Sequence, residues 1–298
     1  MEESVKNENA VEEIKFEEPK GVCEKSTSLV KDYFTEDGSG KIKELANLFG
    51  QSESELKKEF GVFKAKKVYK KLNYFIDTKR LLNADIIDSL NVATKYGFYG
   101  VTVYPTALPL AVGLLSGGSV KVRTIIDYPC GESSFKTLKC AIKSAIKDGA
   151  NELLLCLSSY SVRNEDGKEL LKKVKKLVKR AKATPLSIML DTAILSRAEI
   201  ENAIKTLLSV GVNSFALTDS SGELDKNLSV EFSQTFSGKT SIECFDKIKC
   251  VEVAISTLLG GVNMLTTANC QELVLDFSKK INACEVEECQ ALDKCDKE

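Results

Sequence analysis

The sequence predicts an α/β protein, a single (β/α)8 barrel of the TIM type with an N-terminal helical extension, and three observations carry that expectation. From Leu72 onward, short apolar runs of strand length alternate with amphipathic stretches of helical length. Eight such pairs occur, enough for a parallel sheet to close on itself. The 298 residues accommodate one barrel of roughly 250 residues as a single domain, with an extension.

In chain order, residues 1–23 are acidic and poor in apolar side chains, so they are expected to be disordered. Residues 24–71 form the helical extension, with helices expected around Ser28–Phe34 and Lys41–Phe60 on either side of the turn at Glu36 to Gly40. A basic run from Lys64 to Lys71 is expected to be a linker helix. The barrel spans 72–283, with strands expected at Tyr74–Ile76, Gly100–Val103, Lys121–Ile126, Glu152–Leu157, Leu186–Leu190, Ser214–Leu217, Thr240–Cys244 and Asn263–Thr266. Helical patterns occupy Ala84–Tyr96, Ala107–Leu115, Ser133–Lys147, Glu165–Lys182, Arg197–Val210, Asn227–Thr235, Lys249–Leu259 and Gln271–Ile281. The pairs Gly149-Ala150, Gly211-Val212 and Gly261-Val262 place a helix C-terminus just before a strand. A doubly wound open sheet would show a Gly-rich loop after its first strand, where this chain has Asp77-Thr78-Lys79-Arg80. Residues 284–298 form an acidic tail bearing cysteines, expected to be disordered.

Composition narrows the chemistry. Apolar residues at 43% and charged residues at 29% are ordinary for a soluble domain, and no run approaches the roughly 18 apolar residues of a membrane span. The opening residues carry seven glutamates and no apolar core, so no secretory signal is read and a cytoplasmic location is expected. The absence of histidine removes the commonest general base, metal ligand and pH switch. Cys130, Cys140, Cys156, Cys244, Cys250 and Cys270 stand singly, and no C-x-x-C pair occurs, so no metal site is expected.

In a barrel of this kind, chemistry sits where the strands end. The segments "IDTKRLL", "YGFYGVTVYPTALPLA", "KVRTIIDYPCGESSFKTLKCAIKSAIKDGANEL" and "IMLDTAILSRAEI" resemble the deoxyribose-phosphate aldolase family over about residues 74 to 270. The resemblance implies a (β/α)8 fold and a class I aldol reaction that uses neither metal nor cofactor. It also implies a lysine on strand six that attacks a carbonyl, and a second lysine on strand seven that lowers the first one's pKa. An aspartate on strand four would move protons, and loops after strands seven and eight would hold phosphate through backbone N–H groups.

This chain departs from that pattern. The strand-four aspartate position falls at Leu154, and the strand-six lysine at Ala216 or Leu217, because two inserted residues leave the pairing open. No lysine occurs between Lys205 and Lys226. The strand-seven lysine position falls at Glu243, which is expected to repel a phosphate dianion. Removing one member of a catalytic unit costs on the order of 10⁶ in rate. The expectation is therefore an aldolase-fold protein without catalysis.

A remnant pocket is expected from Asp77, Thr102, Tyr104, Asp127, Asp191, Thr218, Asp219, Asp246, Lys247, Thr266 and Thr267. Asp77, Asp127, Asp191 and Glu243 admit two readings, an acidic rim that holds a cation or moves protons, or caps for the loops that follow. Lys121, Lys239 and Lys247 are the nearest amines; Lys121 and Lys239 precede their strands, and Lys247 alone could overhang the mouth. The family's C-terminal segment closes over the pocket with a terminal tyrosine, whereas the last tyrosine here is Tyr160.

The fourth helical stretch supplies the other signal. Leu170, Leu171, Val174, Leu177, Val178 and Ala181 form its apolar stripe. Lys168, Lys172, Lys173, Lys175, Lys176, Lys179, Arg180 and Lys182 oppose Glu165, Asp166 and Glu169, an excess of five positive charges in a chain of net charge −1. Either this is a solvated face, or it docks an acidic protein, a phospholipid surface or nucleic acid. No aromatic interleaves with the lysines, against single-stranded nucleic acid. Aldolases of other families double as actin-binding scaffolds, so an acidic filament such as actin is the expected partner. The remaining alternatives are a residual or altered aldolase acting on deoxyribose 5-phosphate or a related sugar phosphate, and a sugar-phosphate sensor.

Overall fold

The computed structural model describes residues 65–164, 167–222 and 224–279. The expected acidic opening, the two helices around Ser28–Phe34 and Lys41–Phe60, and the tail from Cys284 lie outside the described residues. Within them the elements run α1 (65–69), β1 (Leu72–Ile76), a 3₁₀ turn (Thr78–Arg80), α2 (Asn83–Tyr96), β2 (Gly100–Val103), α3 (Leu108–Leu115) and β3 (Lys121–Ile126). There follow α4 (Phe135–Lys147), β4 (Glu152–Cys156), α5 (Ser159–Asn164), α6 (Gly167–Ala181), β5 (Leu186–Asp191), α7 (Arg197–Leu208) and β6 (Ser214–Thr218). The chain closes with α8 (Lys226–Thr235), β7 (Ser241–Phe245), α9 (Val251–Leu259), β8 (Met264–Thr267) and α10 (270–279).

All eight strands are parallel and pair in sequence order, and β8 returns to β1, giving a closed barrel. Each strand is covered on both faces, which is why the strands read as apolar runs rather than alternating ones. Side chains still alternate in direction, so successive residues face the barrel interior or the helices. The outward set (Val101, Val122, Leu153, Leu155, Ile188, Leu190, Leu217 and Ile242 among it) packs under the helices. The inward set forms a separate cluster of Phe75, Ile125, Leu154, Cys156, Met189, Ala216 and Phe245.

The helices earn their places by amphipathic patterning and local caps. Ser134 caps α4 by accepting from Thr137 N, and Ser196 and Glu199 form a reciprocal capping box on α7. Gly149, Gly211 and Gly261 all have positive φ, and the residue after each is buried, as the Gly-Ala and Gly-Val pairs predict.

Two expectations need correction. The stretch expected as one helix from Glu165 is preceded by a separate short helix, α5, whose residues carry too few apolar side chains to show a helical period. The basic run before the barrel is no detached linker. Over 65–69 it is helical, and Ala65, Val68 and Tyr69 are buried in the main core. Tyr69 makes edge contacts with Tyr96, Phe98 and Phe277, because an amphipathic turn next to β1 has an apolar face to bury.

Candidate functional site at the barrel mouth

The inward side chains form two storeys, set by the two-residue period of each strand. Asn73, Thr102, Arg123, Glu243 and Thr266 make a polar floor. Two residues further along the same faces stand Phe75, Tyr104, Ile125 and Phe245. Arg123 is the centre of the floor. Its two terminal nitrogens each donate to a Glu243 oxygen at 2.6 Å, Nε donates to Thr102 at 2.9 Å, and Nη2 also donates to Thr266 at 2.9 Å. Thr266 donates in turn to Glu243, and Thr102 to Asn73 at 3.0 Å. Burial alone would lower the Arg123 pKa, but the facing carboxylate outweighs it and holds the guanidinium above its ordinary value.

Above the floor, four aromatic rings fill the mouth. Phe75 contacts Tyr104 and Tyr128 at 5.7 Å between centroids and Phe245 at 5.0 Å, and Tyr128 also contacts Phe245 at 5.7 Å. Burial pushes the Tyr128 phenol up to about 12, and the Cys156 thiol up to about 12. The Tyr104 hydroxyl is sealed from solvent with no hydrogen-bond partner. Lys79, on the 3₁₀ turn after β1, lies over the rings of Tyr104 and Tyr128. The neighbouring Tyr104 phenol raises its pKa, so it is an ammonium rather than a nucleophile.

Strand geometry separates the two candidate residues on β6 by direction. Ala216 faces the interior, level with Glu243 on β7, while Leu217 points outward into the helix layer. Leu154 also faces inward and is fully buried. A methyl group, an isobutyl group and a paired carboxylate therefore face the interior at Ala216, Leu154 and Glu243.

The carboxylates at the strand ends act as loop caps. Ser133 N and Oγ donate to Asp127 at 2.8 and 2.6 Å. Ala193 N and Ser220 N donate to buried Asp191 at 3.0 and 3.1 Å. Asp77 caps the 3₁₀ turn, and Asp219, whose pKa is lowered chiefly by the Ser221 hydroxyl, also accepts from Ser221 N and Thr192. Asp246 pairs with Lys226 at 2.6 Å. Among the described residues no cluster of three or more acidic or sulfur ligands could hold a metal ion.

Several expected pocket residues lie elsewhere. Thr102 and Thr266 sit in the floor beneath the rings, too deep to line a pocket. Thr267 is buried and accepts from Ile248 N and Asn269 N, and the Thr218 carbonyl accepts from Thr192 N. The sequence makes Glu243 a charge that repels a phosphate dianion; in the structure Arg123 pairs with it. The arginine was missed, although its position shows it. A charge in mid-strand, on a sheet buried on both faces, requires a partner. Lys121 bonds Tyr99 and Glu152 at the opposite end of the barrel, and Lys239 lies in the turn before β7. Lys247 is exposed, with its Nζ beside Gly222 in the loop after β6. A cavity of about 530 Å³ opens beside β1, lined by Tyr74, Ile76, Asp77, Asp85, Asp88 and Ser89.

On the outer surface, α6 buries Leu170, Val174, Leu177 and Ala181, with Leu171 and Val178 at the edges of the stripe. Lys168, Lys172, Lys175, Lys176, Lys179, Arg180 and Lys182 are exposed, and Lys173 is half-buried beside Glu169. The adjacent α4 exposes Lys136, Lys143 and Lys147 in addition, and Lys176 reaches over Phe135 of α4. No described helix is long and apolar enough to cross a membrane.

No family model matches the chain. It is 28% identical over 212 residues to the deoxyribose-phosphate aldolase of Acholeplasma laidlawii, covering 68% of this chain and 95% of that one. To the aldolase of the same name from Mycoplasma capricolum it is 24% identical over 220 residues, 71% of this chain and 98% of the relative. By fold it is similar to the deoxyribose phosphate aldolase of Aeropyrum pernix, with a TM-score of 0.65 at 15% identity, covering 74% and 97% of the two chains. A further solved structure, the aldolase QR15, gives a TM-score of 0.66 at 20% identity, with 72% and 96% covered. The likeness spans nearly the whole of these relatives, so over its closed barrel the chain is similar in sequence and in fold to deoxyribose-phosphate aldolases.

Proposed function

We propose that this protein is a catalytically silent member of its family that works by binding another macromolecule, an acidic filament such as actin being the first candidate. The observation that carries the reading is the inward residue on β6. An imine needs an amine lone pair on that face, and Ala216 offers a methyl group packed against Leu154 and Met189. The Arg123–Glu243 pair supports it further, since the one cation inside the barrel floor is consumed by its carboxylate and is not free to lower the pKa of a neighbouring amine. The rings of Phe75, Tyr104, Tyr128 and Phe245 occupy the volume above. For binding, the support is the row of exposed lysines on α6 and their neighbours on α4.

Borohydride reduction with acetaldehyde, followed by peptide mapping, tests silence: no lysine adduct is expected. Co-sedimentation with actin filaments at rising salt tests the partner; pelleting that fades with salt is expected, and none at low salt removes actin.

A second reading rests on the relatives' names and on Lys247. Under it the chain is an altered class I aldolase for deoxyribose 5-phosphate or a related sugar phosphate, with the exposed Lys247 at the rim as its amine. An adduct on Lys247 in the same trapping experiment decides for it. A sugar-phosphate sensor would give no adduct but a thermal shift with the ligand.

A further inference from the structure

The ring platform at the barrel mouth already carries a cation. Lys79 Nζ lies 5.4 Å from the Tyr104 centroid and 5.8 Å from that of Tyr128, and the two centroids are 6.3 Å apart. One ammonium thus meets two electron-rich rings at once. Phe75 and Phe245 back the platform from below.

Lys79 is weakly retained. Its side chain is exposed, and it stands on a single 3₁₀ turn closed by Leu81 N to Thr78 O at 3.3 Å. Its own N–H reaches Asp77 at 3.4 Å, a long bond. Leu81 and Leu82, which follow, are solvent-exposed and give the turn little packing. Releasing this lysine from the rings gives up its interactions with the Tyr104 phenol and Asp77, and little packing.

The charges around the mouth favour a cation over an anion. Asp77, Asp127, Asp191, Asp219 and Asp246 stand at the ends of β1, β3, β5, β6 and β7, against Lys79, Lys247 and a Lys226 engaged by Asp246.

We infer that the mouth is a binding site for a small alkylammonium ligand, and that Lys79 occupies it in cis until such a ligand displaces it. The inference goes beyond the proposed silence of the barrel and does not depend on it, because a quaternary ammonium forms no imine.

The test is titration with tetramethylammonium chloride, against sodium chloride at equal ionic strength, followed by NMR of tyrosine-labelled protein. The wild type shows weak, saturable shifts of Tyr104 and Tyr128. Lys79→Ala removes the internal competitor and binds roughly tenfold tighter, the scale of one partly desolvated cation–π contact. Tyr104→Phe keeps the ring and retains binding, whereas Lys79→Ala combined with Tyr128→Leu loses it. Equal affinity in wild type and Lys79→Ala overturns the inference. So does tight binding that persists without the Tyr128 ring. Should the Tyr128 variant fail to fold, the comparison of wild type with Lys79→Ala decides alone. An acetaldehyde adduct would overturn silence and leave this site standing.

Discussion

Arg123 on β3 and Glu243 on β7 face each other across the barrel interior through two contacts of 2.6 Å, with both side chains almost wholly buried. Neither charge is tolerable alone there. Arg123→Met, which strands the carboxylate, is expected to cost roughly 3–5 kcal/mol, and Glu243→Gln to be damaging as well. The double variant Arg123→Met/Glu243→Leu should recover much of that loss, since two matched apolar groups need no partner. Urea unfolding of the four proteins measures the coupling; additive single losses would contradict it.

That pair also marks the boundary of what the sequence reveals. The barrel was readable because each strand is a short apolar run and each helix carries a stripe, so local pattern and global fold agree. The sealed loops after helices were readable from single glycines such as Gly211. The floor was not, because Arg123 and Glu243 are separated by 120 positions and only the closure of the sheet brings them together. The same holds for the four rings, whose convergence depends on the stagger of β1, β2, β3 and β7. Tyr104 is legible at the mouth; Phe75 is not, since an aromatic in a buried strand looks like any core residue, and Tyr128 and Lys79 lie in the segments after β3 and β1, where no strand period sets their direction.

Phe245 supports two neighbours, Phe75 and Tyr128, so its removal leaves an unfilled volume. Phe245→Ala should destabilise the protein by about 3–5 kcal/mol, while Leu114→Ala, at a half-exposed surface position, should change it little. Chemical denaturation of both variants gives the comparison. Similar losses for the two would mean that the rings are loosely packed.

Alkaline pH should weaken the fold through Tyr128. Its phenol is raised by burial from 10.0 to about 12, so the native state keeps a proton that the unfolded chain releases earlier. Stability is then complete below about 10 and falls as pH rises toward about 12. Tyr69 is raised by burial too, so Tyr128→Phe should flatten the decline only in part. Urea midpoints measured across this range, for wild type and variant, would show it; parallel curves would exclude Tyr128 as a contributor.

Thiol reactivity should divide along burial. Cys130 and Cys140 are exposed, whereas burial pushes Cys156 and Cys244 up to about 12 and Cys270 well above its ordinary value. Iodoacetamide near neutral pH, with peptide mapping, should label the first two and spare the other three until the protein unfolds. Labelling of Cys156 in the native state would mean that the mouth opens readily.

The floor has a mechanical consequence. In an eight-stranded ring, the third and seventh strands stand opposite each other, so the guanidinium–carboxylate contact is a strut across the diameter. One half of the wall cannot swing away from the other without first severing it. Hydrogen exchange in β3 and β7 should consequently slow to a common rate, set by rupture of the whole cylinder.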